Sequence, residues 1–260
     1  MGGIHPSAVI ADTATLGADC DIGPFCVVGP DVVVGERVTL KSHVVVDGDT
    51  HIGDDTVVFS FAVLGEIPQD LKFDGEKTKL RIGARNRIRE HVTMNTGTTG
   101  GGGVTCIGDD NLFMAGCHVA HDAQIANRVI IVNNSAIAGH CIIEDDVIVG
   151  GLCGVHQFVR VGNGAIIGAL SMVTADVIPH GLVMGQRGEL DGLNLVGLKR
   201  KGVARGDITA LRAAFQMLKD GEGTFHDRAE KLKDESDSAF VQDMVRFILG
   251  TSDRGFLTPK

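Results

Sequence analysis

The sequence has no tryptophan and no tyrosine, and its large aromatic residues are 11 phenylalanines. A core without those rings has to be built from small and branched side chains, which suits a narrow and repetitive interior. The six cysteines include no Cys-x-x-Cys pair, so they give neither a zinc-binding nor a redox signature. No run of about 18 apolar residues occurs, so we expect no transmembrane segment.

Positive charge is also scarce, since 24 Lys and Arg residues face 33 Asp and Glu residues and the net charge is −9. No overall basic field is available to attract phosphate backbones, so we expect no nucleic-acid partner. The first residues, Met-Gly-Gly-Ile-His-Pro, have neither the basic nor the apolar region of a signal peptide. We therefore expect a cytoplasmic protein.

What the chain does have is glycine, 36 residues or roughly twice the usual share, and a six-residue repeat. An aliphatic or other apolar residue recurs at every sixth position over three stretches, 10–64, 82–94 and 107–173, the last of them one residue out of phase. Together these stretches hold 25 hexads, which excludes a chance periodicity.

Each hexad is interpreted as a short strand followed by a corner, with the apolar side chain pointing inward. Three hexads then close one triangular coil of 18 residues, and successive coils stack at the strand spacing of about 4.8 Å. Five of the six cysteines fall in the small fifth slot of their hexads, which predicts buried fillers and not nucleophiles. These cysteines are Cys20, Cys26, Cys117, Cys141 and Cys153.

Two insertions interrupt the repeat, near residues 66–80 and 97–105, and long loops on a rigid scaffold often carry function. Beyond the repeat, apolar residues take helical spacing around 208–219, 229–232 and 240–249. The predicted fold is mostly β, with a parallel β-helix over residues 1–187, including both loops, and a small α-helical C-terminal domain over residues 188–260.

A cluster of polar residues breaks the aliphatic pattern at His118-Val-Ala-His121-Asp122. The repeat length of one coil places His121, Gly139 and Gln157 in one vertical row along an edge. Neighbouring positions of that edge carry three further histidines and the aspartate. They are His118, Asp122, His140 and His156.

These residues are the parts of an acyl-transfer site. An imidazole is suited to remove a proton from an attacking group near neutral pH, and Asp122 could orient His121 as in catalytic triads. The Gly139 N–H has no side chain in its way and suits a developing oxyanion. No activated serine or cysteine is evident, so direct attack of an acceptor on a reactive acyl donor is the simplest mechanism.

A zinc site is the alternative interpretation of the histidine cluster, because some hexapeptide proteins, including γ-type carbonic anhydrases, bind zinc through three histidines across a subunit interface. Those proteins use His-x-x-x-x-His spacing, whereas this chain has His-x-x-His. We therefore predict no metal and no cofactor. A non-catalytic hexapeptide trimer is a further alternative.

Several segments resemble the bacterial acyl-[acyl-carrier-protein]–UDP-N-acetylglucosamine O-acyltransferases, nearly end to end. The most specific are His118-Val-Ala-His121-Asp122 and Gly197-Leu-Lys-Arg200, and the others lie at 22–30, 40–46, 65–72, 85–90, 101–103, 138–140 and 155–158. The resemblance implies a left-handed β-helix and a homotrimer with active sites between neighbouring prisms. It also implies transfer of an (R)-3-hydroxyacyl chain from acyl carrier protein to the 3-position of UDP-N-acetylglucosamine, the first step of lipid A synthesis.

The resemblance also assigns roles by position. His121 would be the base that deprotonates the sugar 3-hydroxyl, with Asp122 as its partner and the Gly139 amide as oxyanion donor. Residues that match the sugar, acyl-donor and nucleotide sites are Asp70, Lys72, His118, His140, His156, Gln157, Asn194, Arg200 and Lys201. Ala169 and Arg187 match positions that measure acyl length.

Two departures leave the acceptor open. Asn95-Thr96 stands where better-known relatives have His-Arg, and Val196 stands where they have Glu. Some relatives prefer a UDP-sugar with a 3-amino group, which forms an amide, so this acceptor is the alternative. The related N-acyltransferase of the same pathway has an additional N-terminal domain, whereas this repeat begins by residue 10.

Acyl carrier protein is acidic, as is this chain, so docking calls for a local basic patch. The candidates are arginines in outward slots of adjacent hexads together with two residues that follow the repeat. They are Arg81, Arg85, Arg87, Arg89, Lys199 and Arg200.

Overall fold

A computed structural model describes residues 3–260. Most strands have two residues, of which the first points outward and the second, the predicted apolar position, points inward. All 25 predicted hexad positions lie in the first 25 strands. Strands β1–β25 are Val9–Ile10, Thr15–Leu16, Asp21–Ile22, Val27–Val28, Val33–Val34, Thr39–Leu40, Val45–Val46, Asp49–Ile52, Val57–Val58, Val63–Glu66, Lys79–Ile82, Arg87–Ile88, Thr93–Asn95, Val104–Ile107, Leu112–Phe113, His118–Val119, Gln124–Ile125, Ile130–Ile131, Ala136–Ile137, Ile142–Ile143, Ile148–Val149, Gly154–Val155, Arg160–Val161, Ile166–Ile167 and Met172–Val173.

The strands form three parallel sheets that are the faces of a left-handed triangular prism. Sheet A contains β3, β6 and every third strand after them, sheet B begins with β1, and sheet C begins with β2. Ordinary coils pair at the predicted spacing, as Val9 does with Val27. At the two insertions Leu64 pairs with Met94 and Ile82 with Ile107, so the extra residues loop out and the stack continues.

The core runs along the prism axis and consists of aliphatic side chains with small residues between them. The five cysteines predicted as fillers are buried, and all six cysteines have free thiols. Burial raises the pKa of Cys117 to about 11 and that of Cys141 to about 12. A thiolate nucleophile is therefore disfavoured at neutral pH.

The corners of the prism differ in chemistry. Among residues 3–260, 18 non-glycine residues have a positive φ, between 55° and 66°, and each occupies a corner. The corner between sheets C and A carries alternating charges, here called the charged column: Asp19, Arg37, Asp55, Arg85, Asp110, Arg128 and Asp146. The corner between sheets A and B also carries Gly116 and Asn134, and its other members are here called the apolar column: Phe25, His43, Phe61, His91, Leu152 and Leu170.

Within each column, successive coils are joined by a different kind of contact. Arg37, Arg85 and Arg128 each pair with an aspartate of the next coil. In the apolar column, Phe25, His43, Phe61 and His91 stack with ring centroids 4.9–5.2 Å apart. The third corner, between sheets B and C, carries His121, Asp122 and His140.

Past the repeat, strand β26 (Gly181–Met184) continues sheet A, and β27 (Glu189–Leu193) pairs with it antiparallel. Four α-helices follow, α1 Leu195–Arg200, α2 Arg205–Asp220, α3 Phe225–Glu235 and α4 Ala239–Leu249. The three helical segments predicted from apolar spacing lie in α2, α3 and α4, whose apolar faces form a second core. Within residues 3–260, no helix has the length and apolarity needed to cross a membrane.

The chain end returns to the prism. Asp176 forms a parallel bridge with Phe256, and its buried carboxylate accepts hydrogen bonds from Arg160 and Ser252. The segment around residue 254 therefore lies against the corner between sheets B and C, where the histidines are.

Candidate active site

His121 and Asp122 form a buried dyad at the corner between sheets B and C. The Nδ1 atom of His121 lies 2.8 Å from Oδ2 of Asp122, and both side chains are buried. Because a carboxylate only accepts hydrogen bonds, Nδ1 carries the proton and Nε2 is left as an acceptor. The dyad therefore presents a basic nitrogen at the surface of the prism.

The second inserted loop holds Asp122 in place. Thr98 donates its backbone N–H to both carboxylate oxygens, at 2.9 and 3.1 Å, and its hydroxyl to Oδ2 at 2.6 Å. The backbone N–H of Asp122 donates to Thr105 Oγ1. A Cβ atom on Gly101 would collide with the Asp122 carboxylate, so glycine is required where the loop crosses it. The interruption of the repeat at residues 97–105 thus supports the dyad.

Gly139 lies one coil above His121 with the imidazole against it. His140 N donates to the carbonyl of His121, and a Cβ on Gly139 would lie 2.6 Å from His121 Cε1. Among residues 3–260, the Gly139 N–H makes no hydrogen bond. His121, Gly139 and Gln157 thus lie in the expected vertical row, with an unused amide donor beside the basic nitrogen.

The pKa values of two neighbouring histidines, His118 and His140, are lowered. His118 Nδ1 lies 2.7 Å from Thr93 Oγ1, and burial, with a smaller contribution from His121, lowers the pKa of His118. His140 stacks on Phe158 at 4.5 Å, and burial also lowers its pKa, although Asp122 acts in the opposite direction. Neutral rings can accept or donate hydrogen bonds without adding charge near an acyl group.

An apolar groove of about 370 Å³ runs from the dyad along sheet B. Its floor follows the outward positions of successive strands, from His118 through Ala136 and Gly154 to Met172. The small residues in the middle leave a channel open along the prism. Such a channel suits an extended acyl chain whose reactive end lies at His121.

Comparison with known proteins gives consistent results. Residues 13–48 match the family model of the bacterial transferase hexapeptide (six repeats), and residues 176–257 match domain 2 of UDP-N-acetylglucosamine O-acyltransferase. The acyl-[acyl-carrier-protein]–UDP-N-acetylglucosamine O-acyltransferase of Paracoccus denitrificans is 68% identical over 203 residues, which cover 78% of this chain and 77% of that protein. The enzyme of the same name from Agrobacterium fabrum is 45% identical over 98% of this chain and 95% of its own. The chain belongs to this family.

Solved structures of the acyltransferase family have the same fold. One crystal structure of a UDP-N-acetylglucosamine acyltransferase superposes with a TM-score of 0.96 at 39% identity, covering all of both chains. The UDP-N-acetylglucosamine acyltransferase from Campylobacter jejuni gives 0.93 at 39% identity, covering 99% of this chain and 100% of that one. The resemblance seen in the sequence motifs is therefore confirmed for family and fold.

The other positions that the acyltransferase resemblance assigned to the sugar and nucleotide sites fall into two groups, one in the first inserted loop and one at helix α1. Asp70 and Lys72 lie in the first inserted loop, where the Lys72 N–H donates to the Asp70 carboxylate. The negative charge of Asp70 acts on His140 in the direction of a higher pKa, so the loop lies on the dyad side of the prism.

The second group, Asn194, Arg200 and Lys201, lies elsewhere in the chain, in and beside helix α1. Asn194 caps helix α1, accepting from the Gly197 N–H and donating to the Gly164 carbonyl. Lys201 pairs with Asp146 of the charged column at 3.0 Å. The contacts of Asn194 and Lys201 within the chain are therefore made away from His121.

The two acyl-length candidates lie towards the far end of the groove. Ala169 is at the corner between sheets A and B, and Arg187 is in the turn after β26. That turn contacts the end of the groove, because the Met172 N–H donates to the Gln186 carbonyl. Both residues are exposed.

A metal would find ligands of the right type at the dyad, since His121, Asp122 and His140 offer atoms that all lie within 4.8 Å of one another. The Asp122 oxygens, however, already accept bonds from Thr98 and His121. The absence of a metal requirement stays a prediction, which metal analysis of the purified protein checks.

Sequence reasoning missed several residues that contact the site, among them Thr98, Thr93 and Arg254. Thr98 binds Asp122, Thr93 binds His118, and Arg254 binds His156 across 98 positions of sequence. Thr98 had one available signal, because it lies in a loop that breaks the repeat. The C-terminal segment of Arg254 has no periodicity to place it.

Proposed function

We propose that the protein transfers an (R)-3-hydroxyacyl chain from acyl carrier protein to the 3-position of UDP-N-acetylglucosamine, the first step of lipid A synthesis, in the cytoplasm. The observation that carries this proposal is the buried His121–Asp122 dyad at the mouth of an apolar groove. The dyad supplies a base, and the groove accommodates a fatty acyl chain.

In the proposed reaction the sugar 3-hydroxyl oxygen attacks the thioester carbonyl carbon while its proton passes to His121 Nε2. Asp122 stabilises the imidazolium, and the Gly139 N–H donates to the oxyanion of the tetrahedral intermediate. When the intermediate collapses, the C–S bond breaks and the leaving thiolate of the carrier takes the proton from the imidazolium.

We also propose a homotrimer. Asn194, Arg200 and Lys201, which the resemblance places at the nucleotide, lie near the charged column and away from His121 of the same protomer. A neighbouring prism can supply them to the groove. The apolar column, with Leu152 and Leu170 about 60% exposed, offers a surface for subunit contact.

The docking surface for the carrier protein is proposed near helix α2 and not on the arginines of the prism. Arg81 pairs with Asp49, Arg85 is neutralised by Asp109 and Asp110, and Arg89 pairs with Glu90. Of these four prism arginines, Arg87 alone has no ion pair in the part of the chain that the structure describes. Three basic residues instead line an open cleft of about 460 Å³, and the described part of the chain gives them no ion pair: Lys199, Arg205 and Arg212.

Charge reversal tests this docking surface. Arg212→Glu should raise the apparent KM for carrier-borne donor, whereas Arg87→Glu should leave it unchanged. A raised KM in Arg87→Glu together with an unchanged KM in Arg212→Glu would show that the carrier protein docks on the prism face.

The test of function offers the protein UDP-N-acetylglucosamine and its 3-amino analogue with hydroxyacyl-carrier proteins of several chain lengths, and measures product masses. We expect an ester product on the 3-hydroxyl. A product formed only with the 3-amino sugar would identify the alternative acceptor, and no transfer to either sugar would overturn the assignment.

A further inference from the structure

The C-terminal segment reaches the candidate active site through one side chain. Arg254 Nη2 lies 2.7 Å from Nδ1 of His156, and its Nε donates to the Gln157 carbonyl at 2.9 Å. His156 and Gln157 both line the apolar groove. A residue remote in sequence thus binds two residues of the groove wall at once.

The position of Arg254 is fixed by a buried network behind it. The Asp176 carboxylate accepts from Arg160 at 2.6 Å and from Ser252 at 2.7 Å, and Ser252 Oγ in turn accepts from the Arg254 N–H at 3.0 Å. The backbone of Asp176 also bonds to Gly255 and Leu257. Since Asp176 is fully buried, the segment is anchored on both sides of Arg254.

The contact with Arg254 determines which ring nitrogen of His156 carries the proton. A guanidinium has only donors, so the ring nitrogen that it contacts must be an acceptor. The competing contact, from Nδ1 to the Gln157 carbonyl, is longer at 3.4 Å, and that carbonyl already accepts from Arg254. Nδ1 is therefore unprotonated, and in the neutral ring the proton lies on Nε2, for which the described part of the chain offers no hydrogen-bond partner.

We propose that Arg254 is a positioning residue that holds His156 in the Nε2–H tautomer, so that the groove wall presents a hydrogen-bond donor to a carbonyl or hydroxyl oxygen of the bound substrate. The inference rests on the proposed acyl transfer and extends it to the C-terminal segment. Without Arg254 the ring can rotate, and its Nδ1–H tautomer would donate to the Gln157 carbonyl.

The test compares Arg254→Met, which removes every donor, with Arg254→Lys, which keeps one. Loss of one oriented hydrogen bond should lower kcat/KM by roughly five- to tenfold in the Met variant, and Lys should restore it to within about threefold of the parent. Arg246→Met is the matched control, because Arg246 lies on helix α4, is 80% exposed and, within residues 3–260, pairs only with Asp243. It should not change kcat/KM.

A double-mutant cycle separates positioning from folding. In a His156→Ala background, Arg254→Met should cause no further loss if Arg254 acts through the His156 ring. An equal loss in both backgrounds would overturn the proposal, because it would show an effect that bypasses His156. Thermal unfolding of each variant shows whether the chain end has come loose.

A spectroscopic readout is independent of activity. In protein labelled with ¹⁵N-histidine, the His156 resonances, assigned by their loss in His156→Gln, should show an unprotonated Nδ1 and a protonated Nε2. Arg254→Met should shift this pattern towards a mixture of tautomers. A protonated Nδ1 in the parent protein would contradict the inference even if the acyl transfer itself is confirmed.

Discussion

Asp122 determines which nitrogen of His121 is available for chemistry. Its carboxylate accepts a hydrogen bond from the Nδ1–H group and so keeps the proton on that nitrogen, and it can do so because Thr98 and Thr105 fix its own position. Asp122 adopts a φ of 59°, a conformation that aspartate tolerates better than most residues. The dyad therefore depends on a corner residue that is both strained and surrounded by donors.

Gly101 and Gly100 give a matched test of this support. Ala at position 101 would place its Cβ against the Asp122 carboxylate, whereas Ala at position 100 meets nothing within 4 Å. Because a small displacement of a catalytic group costs rate steeply, Gly101→Ala should lower kcat roughly 10- to 100-fold. Gly100→Ala should leave it unchanged.

Steady-state kinetics on the two variants checks this prediction. Equal kinetics for both would show that the loop does not position Asp122.

The residues of the dyad could be predicted because they occupy a repeat. Once three hexads were known to close one coil, His121, Gly139 and Gln157 had to share one edge. Thr98 and Arg254 could not be predicted in this way, since they come from an insertion and from a terminal segment. Their positions depend on tertiary contacts, such as the bridge from Asp176 to Phe256, that no periodicity encodes.

Among the elements, the boundary between the β-helix and the helical region contains a buried histidine. His180 lies at the top of the corner between sheets C and A, where its ring packs 5.5 Å from that of Phe240 on helix α4. Asn163, Asp243 and Arg246 line a small cavity beside it, and Asp146 and Lys201 are near enough to affect its charge. Burial is the main cause that lowers the pKa of His180 to about 4.

The lowered pKa of His180 predicts that the folded protein loses stability in mild acid. The unfolded chain, with an ordinary pKa of 6.5, binds the proton more readily than the folded protein does, so the contribution of His180 is complete above pH 6.5 and is lost as pH falls towards 4. The loss attributable to this group is on the order of 3 kcal/mol at most. His180→Leu should flatten the pH dependence of the free energy of unfolding by that amount.

Urea unfolding at pH 7 and pH 4.5 measures the difference, with His226→Leu as control because His226 is exposed on helix α3. The same pH dependence in the parent and in His180→Leu would contradict the account.

Strand positions were the most predictable part of the fold, because one inward apolar residue per hexad is enough to place a two-residue strand. The helices of the second core were also indicated by their apolar spacing. The antiparallel pairing of β26 with β27 was not, since Gly181–Met184 and Glu189–Leu193 lie beyond the repeat and pair through a turn. Such pairing depends on packing against neighbouring helices more than on local pattern.

For the proposed trimer, the contrast between the corners predicts which one is covered. The aspartates and arginines of the charged column pair with one another between coils, so the column can face water except at its Asp146 end, where Lys201 lies. The apolar column exposes Leu152 and Leu170 in adjacent coils. Burying such side chains between subunits would contribute roughly 1.5–3 kcal/mol each.

Leu152→Asp combined with Leu170→Asp should therefore dissociate the proposed trimer. Aspartate is tolerated at the positive φ of both positions, so the coil itself should remain folded. Sedimentation should show a shift from the mass of three chains to the mass of one chain. Ile4→Asp is the control, because it makes a comparable change at an exposed position near the start of the prism, and it should keep the parent mass. A trimer that survives the double substitution would place the interface elsewhere.

The most direct test of the account is the turnover of His121→Ala with hydroxyacyl-carrier protein and UDP-N-acetylglucosamine. Removal of a general base should lower kcat by roughly 10²- to 10⁴-fold, while sedimentation and thermal unfolding confirm that the oligomer is intact. Near-normal turnover in the folded variant would show that His121 is not the base, and would contradict the mechanism built on the dyad.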